Sequence, residues 1–269
     1  MVATGCPYGS GVTRQYSTHH ESHTKTVHMT TVADTTPNPS RREVWRMFDR
    51  ISHRYDLLNR LLSGRQDVAW RRKLVTLLPT RDGLRVLDLA TGTGDVLLEL
   101  WRGCPRVRCG IGMDMAGKML AIGRDKVEQR GLASKNAMVR ANAEAIAAAD
   151  ASVDVVTIAF GIRNVSDVPL ALREMHRVLT PGGRALILEF ALPSNALFRA
   201  LYLFYFRNVL PRIGALISGD AYAYKYLNQT VESFPYGEGF LALMRDAGFR
   251  DTKAHSLTFG IANIYQGDK

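Results

Sequence analysis

The chain has 269 residues, 46% of them hydrophobic, and a net charge of +10, which is ample apolar content for one large domain and too much for a disordered chain. Three cysteines (Cys6, Cys104, Cys109) cannot close a disulfide framework and match no zinc spacing, so a reducing, cytoplasmic setting with no metal is expected. No apolar run reaches the roughly 20 residues of a membrane span and the N-terminus lacks the apolar core of a secretory signal, so any membrane is touched rather than crossed.

Residues 1–38 are rich in Thr, Ser, His, Gly and Pro and read as a disordered extension. His19, His20, His23 and His28 lie there with no regular element to fix a ligand geometry. Met29 would also serve as a start, which would make 1–28 an upstream extension. The folded domain is expected over 39–269. It opens with a helical cap at 39–80, in which Val44, Met47, Phe48, Ile51, Tyr55 and Leu58 recur at helical spacing while Arg42, Arg46 and Arg50 line another face. Residues 41–73 carry ten basic side chains against Glu43, Asp49, Asp56 and Asp67, a segment suited to an anionic surface. A second helical stretch through Trp70 and Leu77 follows the Ser63-Gly64 break.

Strands and helices then alternate. Strands are expected at 84–90, 107–114, 137–143, 153–160 and 184–190, and helices at 95–102, 116–131 and 167–179, the last ended by Pro181-Gly182-Gly183. An apolar aromatic stretch at 196–217 follows within an insert spanning 192–235. A helix near 237–247 and two closing strands near 252–265 complete the chain. Strands separated by single helices predict an α/β fold with a doubly wound, mostly parallel, Rossmann-like sheet.

The turn after the first strand runs Asp88-Leu-Ala-Thr-Gly92-Thr-Gly94-Asp95, and its glycines let backbone pass close to a ligand. A dinucleotide fingerprint would want a third glycine where Leu97 stands. Asp114 ends the second strand, where a carboxylate would accept both ribose hydroxyls of an adenosine, or would merely cap the following helix. Asn142-Ala143-Glu144 ends the third strand, placed for an adenine edge or for a turn. Together these describe a site for S-adenosylmethionine, with no phosphates to hold.

VLDLATGTGD, ANAEA, TIAFGIRNV, REMHRVLTPGGRALILEF, VLPRIGALISGDAYAYKYL and MRDAGF together resemble the UbiE/MenG-type quinone-biosynthesis C-methyltransferases from about residue 41 to about 267. The resemblance implies a class I S-adenosylmethionine-dependent fold with seven strands. Its substrate would be demethylmenaquinol or, as the alternative, 2-methoxy-6-polyprenyl-1,4-benzoquinol of ubiquinone synthesis. Carried over by position, it implies donor contacts at Thr93, Asp114, Asn142 and Ala143, beside the loop residues Asp88, Gly92 and Gly94. Ala159 stands where many members have a serine that touches the donor, and Thr91 where many have glycine.

Methyl transfer to an electron-rich ring needs in-line approach and no protein nucleophile. Arg163 is suited to stabilise a quinol oxyanion and Asn164 to orient a hydroxyl or water. Alternatively, Arg163 ties its loop to a carboxylate. Tyr55, Asp56 and Asn59, in a YD-x-x-N pattern, and Asp220 and Tyr224 after the apolar aromatic stretch are further candidates; His53 reads as a lone surface His beside Arg54 rather than a base, and His176 as structural. The apolar insert and the basic first helix point to a prenylated substrate and to docking on an anionic membrane face, with a homodimer through the same surface as the competing partner. Nucleic acid is not expected as a partner, because FGIRNV occupies the place where a base methyltransferase carries an N-P-P-Y-type motif.

Overall fold

The computed structural model describes residues 44–209, Arg212 and 230–269, without the side chains at 54, 55, 57–59, 61 and 62. The expected extension 1–38 lies outside the described residues, as do Asp220, Tyr224 and the side chains of Tyr55 and Asn59.

Successive strand residues point to opposite faces of a sheet, and here both faces are covered. In β1 (Leu84–Leu89), Leu84 and Val86 enter one core layer with Trp70 and Leu74 of α2 (Gln66–Val75) and Val96 and Leu100 of α3 (Asp95–Gly103). Leu87 and Leu89 enter the other layer, with Leu172 and Met175 of α5 (Val168–Val178) and Phe240 and Met244 of α7 (Glu238–Asp246). Each such side chain, once buried, contributes about 1.5–3 kcal/mol. This two-sided burial explains the largely apolar stretches within β2 (Val107–Asp114), β4 (Val153–Ala159) and the second half of β5 (Leu179–Phe190).

The sheet has seven strands in the order β3-β2-β1-β4-β5-β7-β6. β3 (Asn136–Arg140) completes the parallel part, while β7 (Ala262–Asp268) runs antiparallel to both β5 and β6 (Arg250–Leu257). This is the doubly wound, mostly parallel architecture that the strand–helix alternation predicts. One expectation fails locally: Pro181-Gly182-Gly183 does not separate helix from strand. Strand β5 begins at Leu179, directly after α5, and the Pro-Gly-Gly segment is an excursion within it, since Val153 pairs with Leu179 but Val155 with Arg184. Partners for its backbone come from the end of the chain. Gly182 N–H donates to the Lys269 carbonyl at 2.9 Å, and Lys269 N–H to the Gly183 carbonyl at 2.9 Å.

Strand β1 lies between β2 and β4, so the chain leaves it in opposite directions and a crevice opens beyond the C-terminal ends of β1 and β4. The glycine loop and the FGIRN turn meet there. A Cβ at Gly161 would sit 2.4 Å from the Ala90 Cβ, so the two loops touch through a position only glycine can fill. Gly161→Ala is expected to cost about 1–3 kcal/mol in urea denaturation through forced displacement of one loop; unchanged stability would mean that this contact is slack.

Candidate active site

The crevice is a cavity of about 450 Å³, within the usual range for small-molecule sites. Ala90 and Gly92 of the glycine loop form one wall, Asp114, Met115 and Met119 a second, Ala141 to Glu144 a third, and Ala159 to Gly161 with Asn164 a fourth. Helix α1 (Val44–Leu62) adds Val44, Trp45 and Phe48. It is fastened across the site by Asp49, whose Oδ1 accepts the Lys118 N–H at 2.8 Å. Ala116 offers α4 (Gly117–Gln129) no side-chain cap, so a carboxylate from another helix takes that task.

Asp114 is held by backbone on both sides. Its Oδ2 accepts the Gly92 N–H at 2.8 Å and its Oδ1 the Ala116 N–H at 2.7 Å. A carboxylate has about four acceptor positions, so capacity remains for two ligand hydroxyls on a group facing the cavity. Burial pushes this carboxyl above the usual range, against the lowering effect of those N–H groups. Asn142 forms a tight turn, its Oδ1 accepting the Glu144 N–H at 3.1 Å, and with Ala143 and Ala159 it faces the cavity.

The structure places three of the other expected donor residues, Asp88, Thr93 and Gly94, off the cavity wall, Gly94 serving as the N-cap of α3 at φ +80°. The Thr93 hydroxyl donates to Asp56 Oδ1 at 2.7 Å and receives a hydrogen bond from Lys126 Nζ at 2.9 Å. Lys126 also reaches Asp56 Oδ2 at 2.5 Å and Asp95 Oδ1 at 2.8 Å, so Asp56 ties α1 to the glycine loop. Lys126 gives no sign of this in the sequence, where it is one more cation on an amphipathic helix.

Asp88 is fully buried. Register sets Asp88 opposite Thr157, whose hydroxyl donates to it at 2.6 Å, and the Thr91 hydroxyl donates to its other oxygen at 2.6 Å. The Thr91 hydroxyl thus props the loop from within. Burial, opposed by those two hydroxyls and reinforced by the Asp114 charge, raises the Asp88 pKa from 3.8 to about 7. A proton held to a higher pH when folded than when unfolded stabilises the fold below the unfolded pKa, and that contribution is lost as pH rises through the folded value. Between pH 5 and 7 the wild type is therefore expected to lose about 2–3 kcal/mol of unfolding free energy relative to Asp88→Asn, read by urea denaturation at each pH. A pH-independent difference would place the Asp88 pKa back in the ordinary range.

Arg163 is 5% exposed, and its guanidinium turns inward. Its Nη1 donates to Glu189 Oε1 at 2.6 Å and to the Phe160 carbonyl at 2.7 Å, and the guanidinium carbon lies 5.5 Å from the Phe190 ring centre. Glu189 is itself fully buried near the end of β5, so the ion pair anchors the FGIRN turn to the neighbouring strand. In the sequence Glu189 shows only as one carboxylate in the apolar run ALILEF, a position that asks for a cation. Asn164, by contrast, lines the cavity. Its Nδ2 donates to the Phe160 carbonyl at 3.4 Å, and its Oδ1 is buried with no hydrogen-bond partner. Burial raises the Tyr202 phenol, opposed by the Arg163 charge, which puts α6 (Ala196–Phe204) within electrostatic reach of the turn. Among the described residues no three His, Cys, Asp or Glu side chains converge as metal ligands would.

Known proteins resemble the chain at two levels. A crystal structure of an S-adenosylmethionine-dependent methyltransferase from Thermotoga maritima matches with a TM-score of 0.60 at 20% identity, covering 84% of this chain and 99% of that one, which establishes the fold alone. Sequence relatives are much nearer. The ubiquinone/menaquinone biosynthesis C-methyltransferase UbiE of Geobacter sulfurreducens is 52% identical over 223 residues, covering 83% of this chain and 87% of that protein. The demethylmenaquinone methyltransferase of Thermus thermophilus is 48% identical over 223 residues, covering 83% of this chain and all of that protein, 100%. The model of the ubiE/COQ5 methyltransferase family matches residues 35–269, within which the glycine loop, Asp114 and the FGIRN turn all fall, and the chain belongs to that family.

Proposed function

We propose that the protein transfers the methyl group of S-adenosylmethionine to a ring carbon of demethylmenaquinol, giving menaquinol. The observation that carries this reading is a single cavity bearing Asp114 and Gly92 on one side and the family's FGIRN turn, with Asn164, on another. Family membership and the names of the relatives from Geobacter and Thermus support the chemistry.

Asp114 would hold the donor's ribose hydroxyls, Gly92 its close approach, and Asn142 with Ala143 the adenine edge. Bound there, S-adenosylmethionine supplies an electrophilic methyl group. The buried Asn164 Oδ1 is an acceptor waiting for a hydroxyl, and a quinol ring presents one beside the carbon to be methylated. Arg163, paired with Glu189, positions that amide through the Phe160 carbonyl, and its charge lowers the cost of a developing quinol oxyanion. The ring proton lost after methylation goes to water.

An exposed apolar stripe supports a prenylated substrate taken from a membrane. Leu197, Leu201 and Phe204 lie four and three residues apart on α6, and Phe259 packs edge-on against Phe198 with ring centres 5.5 Å apart. Phe259 is 83% exposed. No described helix is long and apolar enough to cross a membrane. The stripe therefore suits a cytoplasmic protein that docks at the inner face, and burial of the same stripe between two copies is the competing use.

Purified protein given the donor and chemically reduced short-chain demethylmenaquinone should yield methylated product by mass spectrometry. Absence of turnover under strictly reducing conditions would sink the reading. Turnover only with the polyprenyl benzoquinol would move it to ubiquinone synthesis, which the Geobacter relative's name also covers.

A further inference from the structure

A second recess, sharing no lining residue with the donor cavity, lies where the end of α1, the N-terminal end of α2, α3 and the end of α4 come together. It measures about 250 Å³ and is lined by Arg60, Arg65, Arg71, Arg72, Arg102 and Arg130 against only Asp95 and Glu99. Four of those guanidiniums have carboxylate neighbours. Arg71 lies 2.8 Å from Asp67 and 3.6 Å from Asp95, and Arg60 reaches Asp95 at 3.9 Å. Arg72 and Arg102 share Glu99 at 3.4 and 3.6 Å. Three carboxylates thus serve four arginines, and Asp95 is also engaged by Lys126 at 2.8 Å. Arg65 and Arg130 have no acidic partner among the described residues.

We propose that this recess binds a multiply charged phosphate-type oxyanion. Six like charges turned into one concavity repel unless a counter-charge is present, and the protein's own carboxylates fall short of supplying it. Arginine is the side chain whose planar fork matches tetrahedral oxyanions in bidentate fashion, and it is desolvated at less cost than lysine. The space admits one or two phosphoryl groups, which is too small for a duplex and well suited to a phosphoester headgroup or a free diphosphate. Arg65 stands at φ +65°, a left-handed conformation that costs a residue with a Cβ roughly 1–2 kcal/mol, and so its place at the lip is held by the fold. Arg130 follows the last turn of α4, where the helix dipole favours a cation, and it forms no ion pair with Glu128 of that turn or with any other described carboxylate. The inference is independent of the proposed reaction.

Calorimetric titration of the full chain with inorganic pyrophosphate at about 0.15 M ionic strength, where diffuse surface attraction is screened, should show saturable binding. Co-sedimentation with vesicles containing phosphatidic acid, against vesicles of phosphatidylcholine alone, forms the second arm. Arg65→Ala with Arg130→Ala, both at exposed positions, should weaken binding roughly tenfold by removing two charge-assisted contacts. Binding of pyrophosphate without vesicle capture would identify a soluble phosphoester, and vesicle capture without pyrophosphate binding a lipid headgroup; both sustain the site. Failure of both probes, or a double variant that binds as tightly as the wild type, would overturn it. Should the double variant melt early, Arg130→Gln alone carries the same comparison.

Discussion

Asp114→Ala is expected to weaken binding of the methyl donor roughly 100-fold, as loss of two hydrogen bonds to a charged acceptor implies. The carboxylate faces the cavity with acceptor capacity left over after Gly92 and Ala116 have taken their share. The Ala variant also releases both N–H groups, so part of the loss would come from a slackened glycine loop. Asp114→Asn separates the two effects. It keeps one acceptor and most of the shape but sets an amide N–H against a backbone N–H, so it should bind the donor less well than the wild type and better than the Ala variant. Calorimetric titration with the donor or its demethylated product reads the result. A melting temperature that falls while donor affinity holds would make Asp114 a helix cap and nothing more.

Arg163→Ala is expected to abolish measurable turnover and to destabilise the fold by about 3–5 kcal/mol, because it leaves Glu189 charged, buried and unpaired. Sequence reasoning alone predicts a loss of turnover with little effect on donor affinity. The ion pair adds a stability loss that would obscure that measurement, so the informative protein is Arg163→Ala combined with Glu189→Gln. Removing the orphaned charge should restore most of the stability. Turnover should stay low, since neither the positioned turn nor the cation returns. If turnover recovers along with stability, Arg163 does no more than neutralise Glu189. Donor affinity should change little in either protein, because the cavity walls that would hold the donor are formed by the loops after β1, β2 and β3.

Whatever a residue does through its immediate neighbours in the chain is legible in the amino-acid sequence. The two-sided apolar runs of the strands, the glycines that turn the loop and the carboxylate ending β2 follow from periods of a few residues and from backbone sterics. They suffice for the seven-stranded, mostly parallel sheet and for the place of the donor site. The FGIRN turn can likewise be located, because a core strand running straight into Arg163 and Asn164 is a local anomaly.

What those side chains touch cannot be read that way. Thr93 turns to Asp56, 37 residues away, Asp88 to Thr157, 69 away, and Arg163 to Glu189, 26 away. Each partner is set by strand register or by the lie of α1 across the loop, and a shift of a single residue would send the same side chain to the opposite face. The Pro-Gly-Gly segment, a helix stop by local rules, becomes a bulge because β5 pairs with β4 on both sides of it. Thus the sequence by itself determined the sheet, the donor loop and the family. The tertiary structure alone decided that Arg163 meets a buried carboxylate, that Asn164 is the polar side chain of the FGIRN turn left facing the cavity, and that six arginines converge on a second recess, because these depend on distances between elements that local pattern does not encode.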